Sequence, residues 1–115
     1  MTVSERAVGN VTFIDVVGQL TLGDGADRLQ DKVRSLLQQG QKQLIVNLGG
    51  VSYMDSAGLG QLIQSYATTS KQGGALKLVN LTRRLQDLLV ITKLSTVFES
   101  FDSEAAALAS FAVPA

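Results

Sequence analysis

Asp55 and Ser56 stand side by side in "VSYMDSAGLGQL", residues 51–62, where an apolar stretch gives way to a glycine-loosened one. A carboxylate beside a hydroxyl supports two different roles. Either residue can cap a helix, because its oxygen accepts from backbone N–H groups that the first turn leaves without partners. Alternatively, Ser56 is held out as an acceptor for another protein to act upon, with Asp55 as an orienter of the hydroxyl. Capping is the commoner role of such residues. Three features favour the second role here. The turn follows an interior strand at its carboxyl end, where open α/β sheets place functional crevices. It holds two cap-competent residues where one would do. Ala57, Gly58 and Gly60 keep the surroundings small, so that a partner's backbone can approach.

Other chemistries fail on composition. A nucleophile elbow needs glycine two positions before and two after the serine, plus a histidine base. Met54 takes the preceding position and the chain has no histidine. It has no cysteine either, which removes thiolate catalysis, disulfides and zinc–cysteine sites. Gly58-Leu59-Gly60 belongs to neither a dinucleotide fingerprint nor a phosphate loop. Asp24 and Asp27 could share a hard cation, but acids in the first turn of a helix more often answer its dipole. No cofactor, no metal and no catalysis by this chain are therefore expected.

Charge narrows the partners. Ten basic and ten acidic side chains cancel, which argues against a nucleic-acid binder, since such affinity comes from clustered Lys and Arg. The one dense basic spot, Arg83-Arg84, reads as a solvated helix surface. No apolar run is long enough to span a bilayer. The start, "MTVSERAVGN", lacks the basic segment and apolar core of a secretory signal, so the cytoplasm is the expected location.

The elements that must position Asp55 and Ser56 follow from periodicity. "VSERAV" and "VTFIDVVG", separated by Gly9-Asn10, read as an antiparallel hairpin. From Asp24 the spacing becomes helical, through Ala26, Leu29, Val33 and Leu36/Leu37, and Gly40 is a stop. "QLIVNL" is apolar on both faces, as an interior parallel strand is, and Gly49-Gly50 then reads as a turn. Leu59, Leu62, Ile63, Tyr66 and Ala67 form the stripe of a second helix, which ends at Gly73-Gly74. "ALKLVN" is a strand, Thr82 caps a helix that buries Leu85, Leu88 and Leu89, "TVFESF" reads as an edge strand, and Ser103 opens a last helix. With 115 residues the chain is one domain, residues 1–115. The fold class is α/β: a mixed, mainly parallel sheet of about five strands covered by about four helices.

Three segments then carry a resemblance: "LIVNLGGVSYMDSAGLGQLI", "GGALKLVNLTRRLQDLLVITKL" and "VFESFDSEAAALASF". Together they resemble the STAS domain family, and within it the bacterial anti-sigma factor antagonists. The "MDSAGLG" core is the specific part, and the agreement in element order extends over nearly the whole chain. The resemblance implies a phosphorylated serine directly after the aspartate, which is Ser56 after Asp55. It implies an anti-sigma factor serine kinase as partner and a metal-dependent serine phosphatase that reverses the change. The unphosphorylated antagonist binds the kinase and frees a sigma factor. The partner surface would comprise Asp55, Ser56, Ala57, Gly58, Leu59, the Gly49-Gly50 turn, Thr21 and Asp24. Two positions depart from the family pattern. Ala57 stands where a second hydroxyl is frequent, and "GQLT", Gly18 to Thr21, replaces an acidic "GELD"-like segment, so that either Asp24 takes over as the acid or recognition differs. The same resemblance admits another role, a subunit that stabilises the ATPase of a lipid-transport complex, with Ser56 merely capping. A homodimer is left open.

Overall fold

The structure, a computed structural model, describes residues 2–22 and 26–111. Two strands open the chain, β1 (Thr2–Val8) and β2 (Val11–Leu20), and α1 (Ala26–Gln38) follows. Then come β3 (Gln43–Met54), α2 (Ser56–Lys71), β4 (Ala75–Val79) and α3 (Arg83–Ile91). A 3-10 turn (Leu94–Thr96), β5 (Ser100–Phe101) and α4 (Glu104–Phe111) complete the described chain. The sheet order is β1-β2-β3-β4-β5, with β1 and β2 antiparallel and every other pair parallel. This is the mixed, mainly parallel sheet that the alternation of elements predicts.

The two faces of the sheet are packed unequally. Ile14, Val16, Leu44, Val46 and Leu48 meet Leu29, Val33 and Leu36 of α1, Leu62 of α2 and Leu85 of α3 in the main core. Ala107 of α4 covers Phe13, Ile45 and Val79 on the other face. Lys77, buried among these residues, pins α4 in place. Its ammonium donates to Ser110 Oγ at 2.9 Å and lies 4.2 Å from the Phe111 ring centre. Arg6 forms a two-pronged pair with Asp15, at 2.6 and 2.9 Å, and reaches Glu104 at 3.1 Å, which ties β1 and α4 to the sheet. The Arg6 guanidinium, followed by the Asn47 amide, holds the Asp15 carboxyl below the usual carboxylate range.

Two expectations are corrected. Gly49-Gly50 is no turn but lies inside β3, which runs on to Met54. The register between β2 and β3 shifts between Asp15 and Val17 and again between Gly18 and Gln19. Each shift gives β3 one extra residue, so its core-facing positions fall at Leu48, Val51 and Met54 instead of alternating. Gly50 sits where the strands crowd: a Cβ there would come within 2.9 Å of Val17 Cγ2 and 3.1 Å of Val16 O. The expected edge strand over 96–101 is only Ser100–Phe101. Before it, Val97 N and Phe98 N both donate to Leu94 O, and Phe98 turns inward, edge-on to Tyr66 at 5.1 Å between ring centres. Burying that ring prevails over local strand propensity.

Candidate functional site

β3 delivers Asp55 in extended conformation to the start of α2, with φ −97° and ψ −175°, the backbone of a helix cap. Its Oδ1 accepts from Gly58 N at 2.8 Å, which closes the first turn. Its Oδ2 accepts from Leu22 N at 3.1 Å, in the segment that leaves β2. Asp55 N donates weakly back to Leu20 O at 3.4 Å. One carboxylate therefore fastens two chain segments, α2 and the exit of β2. Both bonds favour the ionised form, so the carboxyl is held below the usual range, first by the Gly58 amide and then by that of Leu22.

Ser56 is the first residue of α2 and is exposed. Among the described residues its hydroxyl has no hydrogen-bond partner, and Asp55, whose oxygens are directed to the Gly58 and Leu22 amides, does not orient it. The adjacent carboxylate and hydroxyl are thus bonded differently. Asp55 caps, and Ser56 stands free at the positive end of a helix dipole, next to N–H groups of the first turn that lack helical acceptors.

Thr21, half-buried, lies between Leu20 and Leu22 and so borders Asp55, while Ala57 is half-buried beside Ser56. Thr21, Asp55, Ser56 and Ala57 form one patch. The other expected members do not join it as expected. Gly58 is buried, and a Cβ there would overlap the Leu20 carbonyl oxygen, so its role is close packing of α2 on β2 and not access for a partner. Leu59 is turned into the main core. Gly49 and Gly50 are exposed but lie at least four residues before Met54 on β3, roughly 13 Å away along an extended strand. Asp24 lies outside the described residues.

Two exposed apolar residues beside the patch escape a reading of the sequence. Leu22 is 80% exposed and Tyr53 is 46% exposed. Leu22 has a visible signal, since it lies outside both the strand alternation and the helical stripe. Tyr53 has one as well, since it stands next to core-facing Met54 on β3 and alternation points it away from the main core. Among the described residues no cluster of acids could hold a metal ion, and no helix is long and apolar enough to cross a membrane.

Known proteins agree with this architecture. Residues 3–107 match the model of the STAS domain. The chain is 38% identical over 86 residues to the anti-sigma-B factor antagonist of Bacillus subtilis (strain 168), covering 75% of this chain and 77% of that protein. A solved anti-sigma factor antagonist from Mycobacterium paratuberculosis superposes with a TM-score of 0.83 at 18% identity, over 95% of this chain and 92% of the other. The Bacillus cell-fate determinant SpoIIAA in its phosphorylated form superposes with a TM-score of 0.74 at 18% identity, over 96% and 100% of the two chains. With a family match over nearly its whole length and the strand–turn–helix around Asp55 and Ser56 in place, this chain belongs to the STAS domain family.

Proposed function

We propose that this chain is a cytoplasmic anti-sigma factor antagonist that switches partners through phosphorylation of Ser56. Unphosphorylated, it binds an anti-sigma factor serine kinase and so frees a sigma factor. Phosphorylation by that kinase releases it, and a serine phosphatase restores the binding form. The chain performs no catalysis and contributes only the acceptor hydroxyl. The single observation that carries the reading is the exposed Ser56 hydroxyl, without a hydrogen-bond partner among the described residues, beside an Asp55 whose carboxylate caps the helix at Gly58. The likeness to the Bacillus subtilis antagonist supplies the class of partner.

The physical basis of the switch is local. A phosphate adds roughly 1.5 to 2 negative charges at neutral pH, at a helix N-terminus that favours anions. Repulsion from the adjacent Asp55 carboxylate offsets part of that gain, so the fold itself changes little. A partner docked over Thr21, Ser56 and Ala57 has to desolvate or match the new charge. A penalty of about 3 kcal/mol lowers affinity by roughly 100-fold.

The test is affinity for the cognate kinase, measured with unphosphorylated chain, Ser56-phosphorylated chain and Ser56→Ala. The expected order is tight binding for the first and third and weakening of about 100-fold for the second. Equal binding by all three would contradict the switch and favour a constitutive interaction subunit, such as one stabilising a transport ATPase.

A further inference from the structure

The strand that leads to Ser56 forms one wall of an apolar groove whose other wall is α3. The groove has a volume of about 610 Å³ and is lined by Tyr53, Met54, Arg83, Arg84, Leu88 and Ile91, among others. Along α3, Arg84, Leu88 and Ile91 recur at positions i, i+4 and i+7, the spacing of a ridge that packs against another helix. Ile91 is 77% exposed and its neighbour Val90 is 63% exposed, an unusual concentration of bare aliphatic surface at one helix end. The other end of the groove is positive. Arg83 and Arg84 are both exposed, neither makes an ion pair among the described residues, and the first turn of α3 contains no acid. Asp87 is the lone carboxylate in the lining. Arg6 and Lys32, by contrast, are paired with Asp15, Glu104 and Glu5.

We infer that this groove docks an acidic amphipathic helix of the partner protein, its apolar stripe on Met54, Leu88 and Ile91 and its carboxylates on Arg83 and Arg84. Helix-in-groove recognition uses this combination of spaced apolar anchors and complementary rim charge. Met54 immediately precedes Asp55, so a helix seated here lies alongside Ser56, where an added phosphate would repel its acidic side chains. The inference rests on the proposed function only for the identity of the partner.

The experiment places a photo-crosslinking amino acid at Ile91 in the full chain, in its native cells, and sequences the crosslinked peptide by mass spectrometry. The same chain is prepared with Arg83→Glu/Arg84→Glu, with Ser56→Ala, and with Arg34→Glu as a control on α1. The expected product is a protein segment with apolar residues at helical spacing and several Asp or Glu. Its yield falls about ten-fold or more in the double charge reversal and is unchanged by Arg34→Glu. Melting curves of the purified variants verify that the reversal leaves the fold intact. Crosslinks to lipid, to a second copy or to a segment without acids, no crosslink at all, or a yield that survives the charge reversal would each overturn the inference. Under the condition in which wild-type Ser56 carries phosphate, a crosslink lost on charge reversal but no stronger in Ser56→Ala than in wild type would leave the groove standing and count against the phosphoswitch alone.

Discussion

The Asp55 carboxylate accepts from the Leu22 amide at 3.1 Å while its other oxygen closes the first turn of α2 at Gly58. The residue beside Ser56 is thereby the fastener between that helix and the segment leaving β2. The Ser56 hydroxyl has no bond to either among the described residues, which makes the structural role of Asp55 and the proposed regulatory role of Ser56 testable apart.

Substitution at the two positions should have unequal costs. Asp55→Ala removes a cap and is expected to destabilise the domain by about 1–2 kcal/mol in urea unfolding. Ser56→Ala, which removes a hydroxyl without a partner, should stay within about 0.5 kcal/mol of wild type. The reverse order would show that Ser56 is the cap.

Gly58→Ala tests the packing of α2 on β2. In an open helix position the change would be favourable by about 1 kcal/mol. Here the new methyl overlaps the Leu20 carbonyl oxygen, so a net destabilisation of about 1–3 kcal/mol is expected in the same assay. A stabilised Gly58→Ala protein would mean that the two elements stand further apart.

Stability should fall on acidification, and the sign follows from the two depressed carboxyls. Asp15 and Asp55 both titrate below their ordinary range in the folded state. Their stabilisation is therefore complete above the unfolded-state value of about 4, and is lost as pH falls through the lower folded values. Asp55→Asn should flatten the decline in melting temperature between pH 5 and pH 2, and Asp15→Asn should do so as well. An unchanged slope in both variants would contradict the bonding at these carboxylates.

Phosphorylation of Ser56 places a dianion next to the Asp55 carboxylate, so the Leu22 tether should weaken while the sheet is undisturbed. Amide hydrogen exchange is expected to accelerate at Leu22 and to stay unchanged in β3 and β4. Slower exchange at Leu22 would mean that the phosphate reinforces the fastening.

Much of this arrangement is legible in the residues themselves. The alternation of β-branched strands with helical stripes such as Leu29, Val33 and Leu36 fixes the order of elements, and Thr82 caps α3 by accepting from Leu85 N as its type predicts. What escapes local reading depends on long-range register. The extra residues in β3 turn Gly49-Gly50 from an apparent turn into strand and bring Val51 to the core face. The burial of Leu59 follows from its place in the helical stripe, but the contact between Gly58 and Leu20 depends on how closely α2 approaches β2, which no pattern within either element encodes. Arg83 and Arg84 are exposed, as a solvated helix surface requires, while their place beside Met54 depends on how α3 is set against β3.

The central claim, that Ser56 is the switch, is tested most directly by intact mass and phosphopeptide mapping of the protein recovered from its native cells in growth and under stress. The predicted result is a single phosphate on Ser56 whose occupancy differs between the two conditions. An absence of phosphate in both, or phosphate at another residue, would contradict the account and leave Asp55 and Ser56 with no more than the start of a helix to explain.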